Sequence, residues 1–377
     1  MNDLREKTRL CSCCFNMCRD VCSVAGATRR EADAPRNRAF FAEQIMEGKL
    51  NLTPEIADYF YRCAMCKACR EACESGMDTS EIMLSARSEL DDEVLPEKLK
   101  DAKARIISGN LYGEDSTDVK TLISKQLAQN KEETLFYFGG RLRSGRGDTI
   151  KSTFSIMEKL GVDFRVIENE PATGQLSYFL GFSNDAKKLG NKLAEKIKSI
   201  NPKTLVIFSA CDLRMVKLEY PKLGIELENI DIVSLPEFLF DILRQKNPSL
   251  SDWDAGVITY HDSCSLGREL RIFETPREII RMVPKANLVE MAFNKDQAPC
   301  CGYGVGLEIT HPEITKLMAR RLVSLAEDVG AKVMIMGCPT CRNVILENLG
   351  YENNSTKPKR EGSVEILDFP LFLERIL

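Results

Sequence analysis

The chain has no run of 18 uncharged apolar residues, so no membrane-spanning helix is expected. It also lacks a basic surplus: 52 Lys and Arg stand against 56 Asp and Glu, a net charge of -4, and a phosphate backbone would find little to neutralise it. Nucleic acid is therefore not expected as a partner. The opening MNDLREKTRL is charged where a secretory leader would be apolar, which points to the cytoplasm, free or peripheral at the inner face of a membrane. No G-x-G-x-x-G opens a helix directly after a strand, and neither Gly139-Gly140 nor Gly145-Arg146-Gly147 fits that fingerprint. A flavin or NAD of its own is not expected. No Ser-His-Asp or paired-carboxylate constellation stands out, so hydrolytic chemistry has no support.

What the chain has in abundance is cysteine, 15 in 377 residues. A reducing compartment leaves thiols free, so clustered cysteines there read as metal ligands rather than disulfides. Nine lie between Cys11 and Cys73, Cys211 is alone, and five lie between Cys264 and Cys341. The length suggests two or three domains, and this distribution divides the chain into three regions.

Residues 1–90 read as helical: Thr53-Pro54 makes an N-cap with proline at the first helical position, and Asp78 with Glu81 makes a capping box before Ile82 to Leu90. A polar, Lys-rich connector, 91–133, is expected to be partly helical. Beyond it, short apolar runs alternate with amphipathic segments such as Asp185 to Ile200, the pattern of a parallel α/β sheet. Strands are predicted at Thr134 to Phe138, Phe164 to Ile167, Thr204 to Phe208 and Ile230 to Val233. The order recurs at Val257 to Tyr260, Leu288 to Met291, Lys332 to Met336 and Val364 to Leu367. Pro236 and Pro370 each precede a similar apolar helix, so an internal duplication is expected, with lobes at 134–248 and 255–377.

Cys63, Cys66, Cys69 and Cys73 form C-x2-C-x2-C-x3-C, in which three thiolates wrap one [4Fe-4S] cubane and the fourth reaches a neighbour. Cys11, Cys14, Cys18 and Cys22 run C-x2-C-x3-C-x3-C, with Cys13 as a spare thiol. The exchange rule of two-cluster ferredoxins assigns Cys11, Cys14, Cys18 and Cys73 to one cluster, and Cys63, Cys66, Cys69 and Cys22 to the other. Zinc, the rival, favours separated C-x2-C pairs and often takes histidine, and neither His261 nor His311 is near in sequence.

In the second lobe Cys264 follows a strand, Cys300-Cys301-Gly302 lies in a loop, and Cys338-Pro339-Thr340-Cys341 sits where a strand gives way to a helix. Ligands of parallel sheets gather at the carboxyl edge, so these loops can converge. Together with His261-Asp262-Ser263-Cys264 they resemble the cysteine-rich CCG domain family. In spacing and order the chain is similar to the fused iron-sulfur subunit of heterodisulfide reductases and to the iron-sulfur subunits of anaerobic glycerol-3-phosphate dehydrogenase and glycolate oxidase. The resemblance implies that Cys264, Cys300, Cys301, Cys338 and Cys341 bind a noncubane [4Fe-4S] cluster. Ser263 departs from the proline common in the family.

The first lobe departs further: Phe138-Gly139-Gly140 has no cysteine, Pro171-Ala172-Thr173-Gly174 stands where a CCG would fall, and Ser209-Ala210-Cys211-Asp212 replaces C-x2-C. That lobe is expected to have lost its cluster, leaving Cys211 as a small buried hydrophobe. The expected function is an electron-transfer subunit of an oxidoreductase. It would work with a flavin-containing dehydrogenase, a hydrogenase-type donor or a membrane cytochrome subunit. The alternative is a disulfide or heterodisulfide reductase acting at the noncubane cluster; a zinc-bearing scaffold ranks last. His261 is a candidate hydrogen-bond donor or proton relay, set against a packed strand-end histidine, and Arg268, Arg271 and Arg277 are candidate anion attractors, set against solvated helix-face arginines.

Overall fold

A computed structural model describes residues 2–127, 133–145, 147–350 and 364–377. Arg146 of the Gly145-Arg146-Gly147 run and residues 128–132 of the connector lie outside them. The N-terminal region is helical as its caps dictate. Thr53 accepts from Ile56 N to start the Pro54–Tyr61 helix, with proline in its first turn. Asp78 accepts from Ser80 N to start Thr79–Ser88, two residues shorter at its end than the sequence suggests, with no reciprocal Glu81 bond among the described residues. The connector supplies two helices, Glu97–Ile107 and Thr117–Leu127.

Two four-stranded parallel sheets follow, with the same strand order. The first is β2-β1-β3-β4, from β1 (Thr134–Tyr137), β2 (Arg165–Val166), β3 (Thr204–Ile207) and β4 (Asp231–Ser234). The second is β6-β5-β7-β8, from β5 (Val257–His261), β6 (Asn287–Leu288), β7 (Val333–Met336) and β8 (Glu365–Asp368). Leu135 registers with Leu205 in one and Thr259 with Met334 in the other. All eight predicted strands are present. Their ends differ most at β2 and β6, where pairing covers only two residues because the chain turns away to build the site loops.

The expected separation into lobes is only partial, because the lobes share their apolar layers. One core joins Phe136, Phe138, Phe208 and Phe238 of the first lobe to Tyr260, Ile335 and Phe369 of the second. Within it the Phe136 and Phe164 rings stack at 4.3 Å. The sharing is reciprocal. The helix after β1 (Asp148–Leu160) packs on the helix after β8 (Phe369–Glu374), and the helix after β4 (Leu235–Lys246) packs on the helix after β5 (Glu274–Arg281). Strands apolar on both faces need helices on both, and each lobe borrows some from the other.

A buried ion network pins this contact. Arg342, fully buried, binds Asp148 through Nη1 (3.0 Å) and Nη2 and lies 3.8 Å from Asp368, which also accepts from Thr149 Oγ1. Burial, only partly offset by Arg342, holds the Asp368 carboxyl above the usual range. Removing one partner strands a buried charge, so Arg342→Ala is expected to lower stability by about 3–5 kcal/mol, read from urea unfolding midpoints. A loss below ~1 kcal/mol would show the network to be dispensable.

Candidate metal centres

Cys11 closes the first helix (Asn2–Ser12), and the turn after it, with Asn16 at φ 65°, carries Cys14 and Cys18 back over the loop that holds Cys73. Cys11, Cys14, Cys18 and Cys73 line one cavity of about 170 Å³, with Cys69 at its edge. Cys11 Sγ sits 3.8 Å from Thr79 Oγ1. Burial pushes the Cys18 thiol up to about 12, and Cys11, Cys22, Cys14 and Cys73 add to the rise. Four thiols so close resist becoming anions together unless something positive stands among them.

The second group is Cys22, Cys63, Cys66 and Cys69. Met65 (φ 51°) and Lys67 (φ 57°) take left-handed conformations, which bends the loop after Tyr61 around a point and lets Met65 N reach Cys63 Sγ at 3.4 Å. Burial raises Cys69 well above its ordinary value, followed by the charges of Asp78, Cys63, Cys66 and Cys22. Cys22, distant in sequence from the other three, is thus their neighbour.

The third group stands at the carboxyl edge of the second sheet. Cys264 follows β5, Cys300 and Cys301 lie in the loop after β6, Cys338 caps the Pro339–Leu349 helix after β7, and Cys341 is in its first turn. Gly302, at φ 101°, can only be glycine, since a Cβ there would stand 2.9 Å from the Thr315 carbonyl oxygen. The Cys300 thiol meets Cys264, Cys301 and, across from the N-terminal region, Cys66. Cys301 meets Cys341, which meets Cys338. The hydrogen bond from Cys300 draws Cys66 down to about 5. Cys300 and Cys341 rise, each first through a bond to a neighbouring thiol, Cys264 and Cys301 respectively. Cys341 Sγ also donates to Ser263 Oγ (3.7 Å), so the departure at Ser263 adds a polar neighbour.

Several buried arginines surround these thiols. Arg38 Nη1 donates to Cys22 Sγ (3.8 Å); Arg87 donates to the carbonyls of Phe60, Cys63 and Phe179. Arg268 donates from Nε to Cys66 O (2.7 Å) and from Nη1 to Ala298 O, leaving Nη2 without a partner. None of the three forms an ion pair with a carboxylate among the described residues. A buried unpaired guanidinium is costly, so the environment fits a resident anion. No three described His, Cys, Asp or Glu side chains close around a single ion. Cysteine thiolates that bind the separate irons of a cluster need not do so, and the donor set fits iron-sulfur ligation.

Other sequence candidates resolve differently. His261 is buried with Nε2 3.0 Å from Pro299 O, and His311 Nε2 meets Asp58 at 3.0 Å. Arg277 is held by Asp262 and Glu290 beneath the Tyr260 ring, and exposed Arg271 by Glu71 and Asp296. Arg271 and Arg277 are therefore committed to carboxylates, whereas Arg268 is buried among thiols with no carboxylate partner among the described residues. Arg38 and Arg87 escaped sequence reading because no local motif marks them. The first lobe gathers no counterpart thiol set among the described residues. Cys211 is buried 3.5 Å from Ser265 Oγ, and Asp212 accepts from Thr173 Oγ1.

Residues 258–345 match the family model of the cysteine-rich CCG domain. The chain is similar to a subunit of the dihydromethanophenazine:CoB--CoM heterodisulfide reductase of Methanosarcina acetivorans, 28% identical over 301 residues that cover 78% of this chain and 74% of the relative. The probable iron-sulfur-binding oxidoreductase FadF of Bacillus subtilis is 24% identical over 81% of this chain and 46% of its own length. The lactate utilization protein A of Oceanobacillus iheyensis is 28% identical over 57% of this chain and 85% of its own. A crystal structure of a hypothetical protein from Helicobacter pylori shares the fold, with TM-score 0.55 at 14% identity over 90% of this chain and 68% of that one. Residues 258–345 thus carry the signature of a CCG cysteine-rich domain, and the chain is similar over most of its length to iron-sulfur subunits of oxidoreductases. Among the described residues no helix is long and apolar enough to cross a membrane.

Burial holds the Asp212 carboxyl up at about 6, against bonds from Thr173 and Ser209 that pull it down. A raised folded value means that its protonated form stabilises the fold. That contribution is full below about pH 4 and is lost as pH rises through about 6. Wild type is therefore expected to lose stability relative to Asp212→Asn between about pH 4 and 6, with a constant gap above. Urea midpoints measured across that window check it; a gap that does not change with pH contradicts it.

Proposed function

We propose that this chain is the iron-sulfur electron-transfer subunit of an oxidoreductase complex, with two cubane clusters in its helical region and a noncubane cluster in the second lobe. Bound clusters would supply one-electron transfer. The observation that carries the reading is the meeting of Cys66 with Cys300, which brings the second and third cysteine groups into contact across two parts of the chain. Cys11, Cys14, Cys18 and Cys73 would hold the first cluster. Cys63, Cys66, Cys69 and Cys22 would hold the second, and Cys264, Cys300, Cys301, Cys338 and Cys341 the third. Cys69 serves both neighbourhoods, lining the first cavity while sensing the second group's charges, so the first two groups adjoin as well. The line of thiols thus runs from the surface near exposed Cys13 and Cys14 to the carboxyl edge of the second sheet.

Relatives named as subunits support a role within a complex. The partner would be a flavin-containing dehydrogenase, a hydrogenase-type donor or a membrane cytochrome subunit. The equal strand order and reciprocal helix packing support lobes that arose by duplication. Glycines, Thr173 and Asp212 occupy the corresponding loops of the first lobe, which disfavours parting a disulfide symmetrically between two such centres.

Protein reconstituted anaerobically with iron and sulfide is expected to hold about twelve irons, falling to about eight with loss of one EPR signal in Cys300→Ala/Cys301→Ala. About eight in both would remove the third cluster. Arg268 tests the wire itself. Its buried cation favours the more negative, reduced state of either neighbouring centre, so Arg268→Gln is expected to move the midpoint potentials of both signals downward at unchanged iron content. Unmoved potentials would make Arg268 a packing residue only.

A further inference from the structure

The carboxyl edge of the first sheet is not filled in. It opens into a cavity of about 60 Å³ that reaches across to Tyr303 and Thr340 of the second lobe. Glycine helps make the room: Gly140 is on its wall, and a Cβ there would meet nothing nearer than the Tyr112 ring at 3.8 Å. Two buried polar atoms on its walls have no protein partner. Gln175, 7% exposed, donates from Nε2 to Tyr303 Oη (2.6 Å), which leaves its Oε1 unsatisfied. Arg141, 9% exposed, spends its terminal nitrogens on Glu308 and Glu347, which leaves Nε unsatisfied. Such atoms cost free energy until a ligand or water meets them.

Charge and size narrow what fits. Arg141 is answered twice over by Glu308 and Glu347, and Asp212 adds a third carboxyl, so the cavity repels anions. Its volume is roughly that of four to six water-sized probes, enough for about four or five heavy atoms. It is also close to the third cysteine group. Thr340 Oγ1 on its wall donates to Ser209 Oγ (3.1 Å), and the next residue, Ala210, donates its N–H to Cys338 Sγ (3.2 Å). We propose that this cavity binds a small uncharged or cationic hydroxy compound beside the third cysteine group. Binding does not depend on the functional reading above; only the EPR part of the test rests on it.

The test uses three probes of nearly equal size and different charge: ethylene glycol, ethanolamine and glycolate. Saturation-transfer NMR on the full reconstituted chain is expected to show the first two binding and glycolate not. Ala172→Leu, which fills the cavity, and Gln175→Leu, which removes a polar wall group, should each weaken binding at least tenfold. Iron content and circular dichroism report whether each variant is folded, and two variants guard against the failure of one. Glycolate binding as well as ethylene glycol, no binding of any probe, or binding indifferent to both folded variants overturns the site. Deuterated ethylene glycol should add deuterium modulation to the EPR signal that depends on Cys300 and Cys301. Binding by NMR without such a signal would sink the cluster reading and leave the site standing; a signal without modulation would overturn the placement beside the cysteine group.

Discussion

The N-terminal helical region and the second lobe meet through thiols, and the packing of the molecule turns on that meeting. Cys300 donates its backbone N–H to Ser23 Oγ at 2.8 Å, while its thiol faces Cys66. Arg268 spans the same seam, bonding the carbonyl of Cys66 on one side and that of Ala298 on the other. Arg70 of the helical region returns the contact by donating to Arg268 O at 3.1 Å. Each of these bonds is made by a residue within a few positions of a cysteine. The cysteine groups therefore cannot be moved without opening the interface between two parts of the chain. The placement of the thiols and tertiary assembly are one constraint here, as in metalloproteins whose site forms only on folding.

Electrostatics separates two kinds of buried arginine. Arg277 and Arg342 are answered by carboxylates and hold elements together. Arg38, Arg87 and Arg268 are surrounded by cysteines and backbone carbonyls instead. Carbonyl oxygens satisfy their hydrogen bonds but not their charge, since a dipole offsets a monopole only in part. The imbalance is distributed over the second and third groups and has the sign that an anionic centre needs. The surface-near first group has Arg36 on its cavity wall and fewer buried cations, so solvent carries more of the balancing there.

The legible features were those with a short sequence range. Strand runs, the proline-bearing cap at Thr53, and the cysteine spacings all concern residues within a few positions of one another, where backbone geometry leaves few options. The nearness of Cys22 to Cys69 was foreseeable because the exchange rule supplies a long-range pairing from local spacing. The meeting of Cys66 and Cys300, more than two hundred residues apart, has no such rule behind it. The exposed-face reading of Arg268 failed for the same reason: a helix-face arginine becomes a core residue only when another part of the chain covers it, and the periodicity of one segment is silent on that. The shared apolar layers were also hidden, because a strand apolar on both faces needs cover without specifying which lobe provides it.

The first lobe gathers no thiol set among the described residues, so its sheet edge must be held by other groups. In the first lobe Glu170 accepts from the backbone N–H groups of Phe138 (3.0 Å) and Gly139 (2.8 Å), and Arg143 stands 3.4 Å away as its counter-charge. Those are the two residues that follow β1, as the segment leading to Cys264 follows β5 in the other lobe. Asp212 and Thr173 bond each other across the next pair of loops. A carboxylate and a hydroxyl thus tie together loops that thiols occupy in the second lobe. These bonds satisfy the backbone groups beyond the strand ends, but they join the loops by directional contacts and do not fill the space between them. A cavity therefore remains between the loops, and polar groups such as Thr173, Gln175 and Asp212 stand on its walls.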